Sequence, residues 1–346
     1  MKTVSIILPI YNMASDLKES AAALRSQTYK NLEIILVDDG STDNSRQVCE
    51  DLAGSDPRIK VVHIENQGAG MARNTGVDNA GGDYVYFFDA DDILEPDAIE
   101  AAVDTLEQEQ SDMVIFGHRA TDSRGREFYR QNYARCTIDA EDIRRHYTQE
   151  DERGIYSYQR AIWNKVLDLN KIKEHDIRFP SLRRHAEEVF NFRYLAVSEK
   201  VSFIDRCYYT YQKDDYQVIL GKLPVNYIDG ISQLRLWQRE MLTGWNPDNQ
   251  AALDFIRTEY CQHLFRALEL TFYKKMDFDF KEKMAWLEAA ARREEVQELC
   301  AARPPLKSRY QNMTLDLLQA KNISGLYFIL WLKAQKNLHS GRSRRP

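Results

Sequence analysis

The stretch YVYFFDADD, residues 84–92, runs from five aromatic or β-branched residues straight into three carboxylates, Asp89, Asp91 and Asp92. An apolar run of this length and composition is typical of a buried strand. Carboxylates that lie this close repel one another and raise each other's pKa, unless a cation or several hydrogen-bond donors lie beside them. The sequence therefore predicts a core strand over residues 84–88, with a positively charged group at its carboxyl end.

The chain before this stretch alternates between strand and helix patterns. The predicted strands are short apolar runs at residues 4–8, 33–37, 60–64 and 84–88, and helical periodicity fills the intervals. Continuous apolar strands separated by helices indicate an α/β fold with a mainly parallel sheet covered on both faces. Ligands of such sheets bind beyond the carboxyl ends of the strands. Polar clusters at residues 9–12, 38–43 and 89–92 follow three of these strands, so we expect them to line one crevice.

The rest of the chain is less regular and then becomes helical. After a helix predicted over residues 95–109 and a strand over 112–117, the pattern weakens from 119 to 155. We then expect helices over 157–169 and 185–197, and a strand or hairpin over 201–211. Further helices are predicted over residues 228–242, 249–272, 280–300 and 310–333. The last third is therefore expected to be an all-α appendage.

Composition and charge narrow the class of protein. The chain has 346 residues, 43% of them hydrophobic and 29% charged, as in ordinary soluble globular proteins. Its formal net charge of −6 creates no global attraction to nucleic acid, so no nucleic-acid partner is expected. The five cysteines are widely spaced and include no Cys-x-x-Cys pair. This spacing argues against a disulfide framework or a zinc cluster and suits a reducing cytoplasm.

The N-terminal segment MKTVSIILPIYN is interpreted as the first core strand, because it lacks the small-residue cleavage site of a signal peptide. Along the whole sequence, no segment approaches the roughly 20 consecutive apolar residues of a membrane-spanning helix. We therefore expect a cytoplasmic protein.

The carboxylates of YVYFFDADD are candidate metal ligands. In an extended segment Asp89 and Asp91 share one face, with Ala90 on the other. Two carboxylates at the end of a rigid strand leave room for waters and phosphate oxygens, which is how Mg²⁺ or Mn²⁺ is usually held. The alternative is that Asp91 or Asp92 caps a helix that begins near residue 95. The preceding strand and the acids Asp38 and Asp39, expected at the same edge, favour a site for metal and phosphate.

Two loops could bind the rest of a phosphorylated ligand. The first is VDDGSTDNS, residues 37–45. Its composition is typical of a turn followed by a helix cap. Equally, one of its two adjacent acids could accept hydrogen bonds from a nucleobase or a ribose. In ENQGAGMARNTG, residues 65–76, Gly68 and Gly70 permit close backbone approach and Arg73 offers a fork for phosphate. The alternative is a flexible loop with a surface arginine. A dinucleotide fingerprint fails because Arg73 stands where its third glycine belongs, and no Gly-Lys-Ser/Thr triplet of a Walker A loop is present.

Four motifs in order, VSIILPIYN, SQTYKNLEIILVDDGSTDNS, ENQGAGMARNTG and GGDYVYFFDADD, resemble family 2 glycosyltransferases of the bacterial surface-glycan type. These are inverting enzymes with a GT-A fold. The resemblance is strong over residues 3–118, moderate over 157–212 and absent beyond. It implies a nucleotide-sugar-binding half at 1–118, an acceptor-binding half at 119–215 and a helical C-terminal region at 216–346.

The resemblance also implies roles for individual residues. The donor-binding residues that it implies are Pro9, Tyr11, Asp39, Arg73 and Asp89. Tyr11 would lie against the nucleobase, Asp39 would hydrogen-bond to it and Arg73 would contact the nucleotide or its phosphates. Asp91, the last aspartate of the D-x-D signature, would ligate Mg²⁺ or Mn²⁺, with Asp89 near the ribose and the metal shell.

The catalytic base of the family usually comes from a Glu-Asp pair at the start of a helix. In IRFPSLRRHAEEVFNFRYL, residues 177–195, the pair is Glu187-Glu188. Counting back from Phe190 selects Glu187, whereas matching the pair directly selects Glu188. Successive helical residues diverge by about 100°, so only one of them can face the site, and we assign Glu187 with Glu188 as the alternative. Both could instead be solvated carboxylates beside Arg183 and Arg184.

Two neighbouring residues are candidates for acceptor contact. Trp163 belongs to a Trp-Asn-Lys segment, which resembles the one that precedes the Glu-Asp pair in bacterial members of the family. Its ring could form the floor for an acceptor sugar, or it could be part of the core. His185 is interpreted as a surface histidine.

The C-terminal segment ISGLYFILWLKAQKNLHSGRSRR, residues 323–345, is aromatic and aliphatic first and basic afterwards. Such a segment could lie on an anionic membrane surface at the inner face of the plasma membrane. The alternative is a helix docked on the catalytic domain, followed by an unstructured basic end.

The function predicted from all these features is metal-dependent, inverting transfer of a sugar from a nucleoside diphosphate, most often UDP, to a glycan or lipid-linked acceptor. One alternative is a degenerate GT-A domain that binds glycans or acts as a scaffold. A nucleotidyltransferase is less consistent, because it would have a Gly-rich loop with a basic residue where this chain has residues 9–12.

Overall fold

The computed structural model describes residues 1–122, 124–146, 161–182, 185–212, 227–245, 250–272 and 278–339. The chain divides into two compact units, Met1–Lys213 and Asp214–Pro346. The first unit contains a ten-stranded sheet. Among the described residues of the second unit, the regular elements are helices. The two halves predicted within residues 1–215 stay a prediction.

The sheet consists of β1 (Val4–Ile10), β2 (Leu32–Asp39), β3 (Ile59–Ile64), β4 (Tyr84–Phe87), β5 (Ile93–Leu94), β6 (Met113–Thr121), β7 (Glu127–Gln131), β8 (Cys136–Asp139), β9 (Lys165–Asp168) and β10 (Lys200–Gln212). The strand order is β3-β2-β1-β4-β9-β6-β10-β5, with β7 paired to β6 and β8 to β10. Strands β3, β2, β1 and β4 are parallel to one another. All of β4 and almost all of β1 are buried, which explains their continuous apolar sequences.

The helices of the first unit are α1 (Leu17–Arg25), α2 (Ser45–Ser55), α3 (Ala69–Asn79), α4 (Ala98–Glu109), α5 (Ala140–His146), α6 (Leu169–Glu174) and α7 (Ala186–Val197). The strand and helix alternation predicted for residues 1–118 is confirmed. Helix α3 packs closely on β1 at Gly76, where an added Cβ would lie 2.3 Å from Ile7 Cγ2. Only glycine fits this contact, which fixes the position of the helix that carries Arg73.

The helix predicted over residues 157–169 is wrong where the structure describes it. Lys165–Asp168 form β9 and α6 begins at Leu169, whereas residues 157–160 lie outside the described residues. Strand β9 runs antiparallel to both of its neighbours, β4 and β6. A short buried apolar run such as Val166-Leu167 has no periodicity that distinguishes strand from helix, so pairing with distant strands decides its structure.

The second unit contains α8 (Tyr227–Trp245), α9 (Gln250–Leu270), α10 (Phe280–Arg292), α11 (Glu294–Ala302), α12 (Arg309–Gln319) and α13 (Ile323–His339). The helix predicted over residues 280–300 is interrupted at Arg293, whose ψ of 135° is extended. The helix predicted over 310–333 is interrupted near Lys321, which has a φ of +52°. The unit has its own apolar core, which includes Leu264, Leu268, Leu287, Leu299 and Leu318. Of the helices within the described ranges, none has both the length and the apolar character needed to cross a bilayer.

Candidate active site

The polar clusters that follow β1, β2 and β4 meet at one edge of the sheet, as predicted. Ile10 of β1 lies opposite Asp38 of β2, and Ile7 lies opposite Phe87 of β4. Strand β1 lies between the other two: the chain runs from β1 to β2 and β3 on one side and then crosses to β4 on the other. This arrangement is the topological switch point at which open α/β sheets bind ligands.

The end of β1 is fastened to the turn that follows β2. Asn12, which has a φ of +55°, accepts a hydrogen bond from the Thr42 amide at its Oδ1 atom, 2.8 Å away. The Met13 amide donates to Ser45 Oγ at 2.8 Å. Pro9 lies within β1, and the side chain of Tyr11 directly after the strand is 48% exposed. Tyr11 is therefore held beside the turn with its ring accessible to a ligand.

Asp39 organises the loop that leads into α3. Its two carboxylate oxygens accept from the amides of Gln67 at 2.8 Å and Gly68 at 2.9 Å. The Asn66 side chain donates to the Asp39 carbonyl oxygen at 3.0 Å. Asp39 is buried and thus shapes the glycine loop. Each carboxylate oxygen has a second lone pair and can accept a further hydrogen bond. The hydrogen bond predicted between Asp39 and a nucleobase stays a prediction.

The segment from Asp89 to Asp92 is a turn, so the extended geometry predicted for it is wrong. The Asp92 amide donates to the Asp89 carbonyl oxygen at 3.2 Å, which closes the turn. The Ser20 hydroxyl of α1 donates to the Ala90 carbonyl oxygen. Asp91 is exposed at the tip of the turn and Asp89 is partly buried. The two carboxylates therefore do not share the face of a strand.

Asp92 is not a helix cap, contrary to one of the predicted alternatives. Its carboxyl group is buried and accepts from the Tyr209 hydroxyl at 2.5 Å and the Gln212 amide at 2.8 Å. Burial, together with the charges of Asp89 and Asp91, raises the pKa of Asp92 to about 8. The N-cap residue of α4 is Asp97, and Asp91 does not have that role either. Asp92 fastens the turn to the end of β10.

Arg73 is the positive group predicted at the end of β4. The residue is 4% exposed. The Nη2 atom donates to Asp89 Oδ1 at 2.7 Å, and Nη1 lies 3.1 Å from Glu187 Oε1. The Arg73 Cζ atom lies 5.7 Å from the centre of the Phe179 ring. One buried cation thus joins the D-x-D turn to the start of α7.

The two acids of the predicted catalytic pair face different partners. Glu187 pairs with Arg73. Burial raises the pKa of Glu187 and the nearby Asp89 adds to this, whereas Arg73, the Ile162 amide and Lys165 oppose it. Glu188 instead lies 3.1 Å from His185 Nδ1. The structure therefore brings Glu187 together with Arg73 and Asp89, and it places Glu188 on another side of the helix.

His185 is not a surface residue, because its side chain is only 10% exposed. Arg183 and Arg184, named as neighbours of the pair, lie outside the described residues.

The start of α7 is held in place by aromatic packing that sequence reasoning missed. Phe179 and Phe190 stack with ring centres 4.1 Å apart, and Phe87 contacts both rings edge-on at 5.2 Å and 5.5 Å. Phe87 belongs to β4 and Phe190 lies one turn after Glu187 on α7. The three rings therefore fix the distance between the turn after β4 and the first turn of α7.

Asn74 is a second missed residue. Its side chain donates to the Phe179 carbonyl oxygen at 2.9 Å and accepts from the Phe179 amide at 2.9 Å. This paired bond fastens α3 to the segment that leads into α7. The sequence feature that could have identified Asn74 is its position directly after Arg73 in the Ala-Arg-Asn motif.

Trp163 packs against the core, which was one of the two roles considered for it. Its ring stacks on Tyr209 at 4.4 Å and is parallel to Tyr211 at 6.0 Å, while His118 contacts it edge-on at 4.8 Å. Trp163 is partly buried against the core of the first unit. Its predicted contact with an acceptor sugar stays a prediction.

The candidate metal ligands are the carboxylates of Asp89 and Asp91. Within the described part of the chain, no group of three or more His, Cys, Asp or Glu residues is arranged to hold a metal ion. The exposed Asp91 and the partly buried Asp89 offer carboxylate oxygens, which suit Mg²⁺ or Mn²⁺, ions that retain waters and take phosphate oxygens from a substrate. The oxygen donors present therefore fit such an ion together with a phosphorylated ligand.

Comparison with known proteins finds a matching family model and similar relatives. Residues 5–168 match the family model described as Glycosyl transferase family 2. The chain is 31% identical over 240 residues to "Glycosyltransferase GlyG" of Streptococcus pneumoniae, a match that covers 67% of this chain and 77% of GlyG. It is 32% identical over 218 residues to EpsH of Bacillus subtilis, a match that covers 60% of each protein.

Among solved structures, S. aureus TarS 1–349 in complex with UDP-GlcNAc is similar, with a TM-score of 0.67 at 19% identity. The match covers 98% of this chain and 92% of the TarS chain. At this identity the similarity concerns the fold. The predicted fold, a GT-A-type α/β sheet followed by C-terminal helices, is confirmed.

We expect Asn74→Ala to destabilise the protein by about 1–3 kcal/mol, because it leaves the buried amide and carbonyl groups of Phe179 without partners. Chemical denaturation of the full chain measures this loss. Asn79→Ala is the matched control on the same helix, since the exposed Asn79 side chain donates only to the Thr75 carbonyl oxygen among the hydrogen bonds described. Equal stabilities of the two variants would contradict the role given to Asn74.

Proposed function

Since this chain belongs to glycosyl transferase family 2, we propose that it is a metal-dependent, inverting glycosyltransferase. Its donor is a nucleoside-diphosphate sugar, with UDP as the favoured nucleotide, and its acceptor is a glycan or a lipid-linked saccharide of a bacterial surface polysaccharide. The observation that carries the proposal is the contact of Arg73 with both Asp89 and Glu187. It supports the proposal because Glu187, joined to the D-x-D turn through Arg73, would be suited to remove a proton.

The donor would bind across the edge formed by β1, β2 and β4. The exposed ring of Tyr11 offers a stacking surface for the nucleobase, and Pro9 and Asp39 border the same crevice. The complex of TarS with UDP-GlcNAc supports a nucleotide sugar as ligand for this fold. Both Nη atoms of Arg73 contact protein carboxylates. Arg73 would therefore act on the diphosphate mainly through its charge.

Glu187 would be the catalytic base of a single displacement. Its carboxylate takes the proton of an acceptor hydroxyl, the hydroxyl oxygen bonds to the anomeric carbon, and the diphosphate leaves with the electron pair of the bond that breaks. Attack from the face opposite the leaving group inverts the anomeric configuration. Burial raises the pKa of Glu187, which makes its carboxylate a stronger base near neutral pH.

Asp91, with Asp89 nearby, would hold Mg²⁺ or Mn²⁺ at the diphosphate, where the ion offsets the negative charge of the leaving group. The partly exposed face of Trp163 would receive the acceptor sugar, since aromatic rings present an apolar surface to the C–H face of a sugar ring.

The degenerate-domain alternative predicts glycan binding without turnover. The placement of Glu187 beside Arg73 and Asp89 favours an enzyme. We place the enzyme in the cytoplasm, at the inner face of the plasma membrane.

Membrane contact would be made by α13. Phe328, Trp331 and Leu332 are 56%, 40% and 46% exposed, and their spacing places them on one helical face. The rings of Phe328 and Trp331 stack at 6.2 Å. The opposite face of α13 packs into the core of the second unit. The sequence after the helix carries Arg342, Arg344 and Arg345, so an exposed apolar face precedes a basic tail that anionic lipid attracts.

Asp91→Asn should abolish metal-dependent binding of the donor, because the amide is a much weaker ligand for a hard divalent cation. The measurement is calorimetric titration of UDP-, GDP- and dTDP-sugars in the presence and absence of Mn²⁺, together with assay of slow donor hydrolysis. If the wild-type protein binds none of these donors in a metal-dependent way, the proposed function is wrong.

Glu187→Gln should leave donor affinity close to that of the wild type and lower the rate of hydrolysis or transfer by about 10²–10⁴-fold, since the amide cannot accept the proton. Glu188→Gln is the matched control on the adjacent position and should retain activity. Normal turnover by Glu187→Gln would eliminate Glu187 as the base, and loss confined to Glu188→Gln would transfer the role to that residue.

The double substitution Phe328→Ser and Trp331→Ser should abolish sedimentation of the protein with vesicles that contain phosphatidylglycerol, because the exposed aromatic face is lost. Leu236→Ser removes a leucine that is 57% exposed on α8 and serves as the control. Wild-type protein that fails to bind anionic vesicles at low salt would eliminate the membrane contact and leave the enzymatic proposal intact.

A further inference from the structure

A cavity of about 290 Å³ lies among three helices of the second unit, α8, α9 and α11. Each helix contributes residues spaced three or four apart, which therefore share one face of that helix. The lining residues are Arg235 and Arg239 of α8, Leu253, Ile256 and Arg257 of α9, and Glu298 and Ala302 of α11. All of them belong to the same compact unit. The cavity is thus built by the helical unit alone.

The lining combines apolar side chains with arginines. Leu253, Ile256 and Ala302 supply carbon surface, and Ile256 is only 2% exposed. An arginine that lines a cavity adds its aliphatic stem to the apolar surface and keeps its guanidinium group near water. The cavity therefore suits a ligand that has an apolar part and an anionic group.

Arg235 is held in one orientation before any ligand binds. Its Nη1 atom donates to the Glu295 carbonyl oxygen at 3.2 Å, and its Cζ atom lies 5.2 Å from the centre of the Tyr260 ring. The Tyr260 hydroxyl is in turn hydrogen-bonded to the Ser232 hydroxyl at 2.8 Å. The side chain of Arg235 is 12% exposed. Prior ordering of this kind lowers the entropic cost of binding a ligand.

The three guanidinium groups retain N–H donors for a ligand. Nη2 of Arg235 lies 3.8 Å from Glu298 Oε2, which is longer than a hydrogen bond. Arg257 donates from Nη1 to Asp254 of its own helix at 3.1 Å. Arg239 is exposed and forms no salt bridge within the described ranges. Since an arginine carries five N–H donors, each of the three can still bind an anion.

The charges of these arginines favour an anion in the cavity. Arg235 and Arg239 are four residues apart on α8, and like charges at this spacing repel each other. A phosphate group relieves that repulsion, and its oxygens match the planar fork of a guanidinium group. Glu298 is the acid among the described lining residues, and its side chain is 56% exposed. It can therefore turn toward solvent when an anion binds.

The size and chemistry of the cavity limit the rest of the ligand. Its volume lies at the lower end of the range for small-molecule sites, which suits a segment of one hydrocarbon chain better than two chains side by side. A nucleobase or a sugar would place polar atoms against the apolar lining without hydrogen-bond partners, which is costly. A single apolar chain fits without this cost.

We propose that this cavity binds the phosphate ester of a single apolar chain, with the phosphate at the three arginines and the chain against the apolar lining. A lipid-linked saccharide is an ester of this class. The cavity would thus hold the lipid phosphate of the acceptor, and this identification of the ligand rests on the proposed function.

The test is calorimetric titration of the full-length protein with dodecyl phosphate, kept below the concentration at which it forms micelles. The wild-type protein should bind it saturably. Arg239→Glu should weaken binding by at least about tenfold, because it replaces a donor of charge-assisted hydrogen bonds with a like charge. Arg292→Glu is the matched control, since this exposed arginine of α10 pairs with Glu288 and does not line the cavity. Absence of saturable binding, or equal affinities of Arg239→Glu and Arg292→Glu, would overturn the proposal.

Ala302→Phe tests the apolar part of the site without a change of charge. The larger side chain fills the cavity and should weaken binding of dodecyl phosphate by about tenfold. If this variant fails to fold, the Arg239→Glu titration still decides, because Arg239 is exposed. Unchanged affinity in a folded Ala302→Phe variant would place the chain elsewhere and overturn the proposal.

Two further probes separate the possible sources of the phosphate. Inorganic phosphate and dihexanoylphosphatidylglycerol, which has two chains, should both bind the wild-type protein at least about tenfold more weakly than dodecyl phosphate. Equal affinity for inorganic phosphate would reduce the cavity to a simple anion site, and equal affinity for the two-chain lipid would assign it to bilayer lipid. Either result would overturn the proposal.

These titrations use neither a sugar donor nor a metal ion. Their failure would therefore leave the proposed function intact. A wild-type protein that binds dodecyl phosphate but no nucleotide sugar would retain the cavity as a lipid-phosphate site and lose only the link to a glycosyl acceptor.

Discussion

The candidate site depends on one buried guanidinium held between two carboxylates. Arg73 cannot be buried at low cost without anionic partners, and Asp89 and Glu187 supply them at 2.7 Å and 3.1 Å. Burying the carboxylate of Asp89 or of Glu187 would likewise be costly without the positive charge of Arg73. The turn after β4 and the first turn of α7 are therefore brought to one place by charge neutralisation.

Packing around this ion pair makes its geometry specific. The rings of Phe87, Phe179 and Phe190 fill the space between β4 and α7. Apolar contact alone is not directional, and the two hydrogen bonds between Asn74 and Phe179 supply the direction. Arg73 and Asn74 are adjacent on α3, so a single helical turn carries the charge and the paired bond. Gly76 then allows this helix to pack closely on β1.

The acids of the two carboxylate-rich motifs divide their roles according to burial. Asp39 and Asp92 are buried and bind backbone amides, which shapes the glycine loop and the end of β10. Asp89 neutralises Arg73, and Asp91 is exposed at the tip of its turn. The repulsion expected from three acids in YVYFFDADD is thus relieved by a guanidinium for Asp89 and by a raised pKa for Asp92. Exposure to solvent screens the charge of Asp91.

By itself, the sequence determined the features that depend on local pattern. Apolar runs and helical periodicity specified β1–β4 and the helices between them, because side-chain periodicity follows directly from backbone geometry. The parallel order then placed the ends of β1, β2 and β4 at one edge. Only the tertiary structure decided that Lys165–Asp168 form a strand, that Asp92 binds Tyr209 and Gln212, and that Glu187 rather than Glu188 faces Arg73. These outcomes depend on contacts between residues far apart in the chain, and no local propensity or spacing encodes which distant partner a strand or a charge will meet.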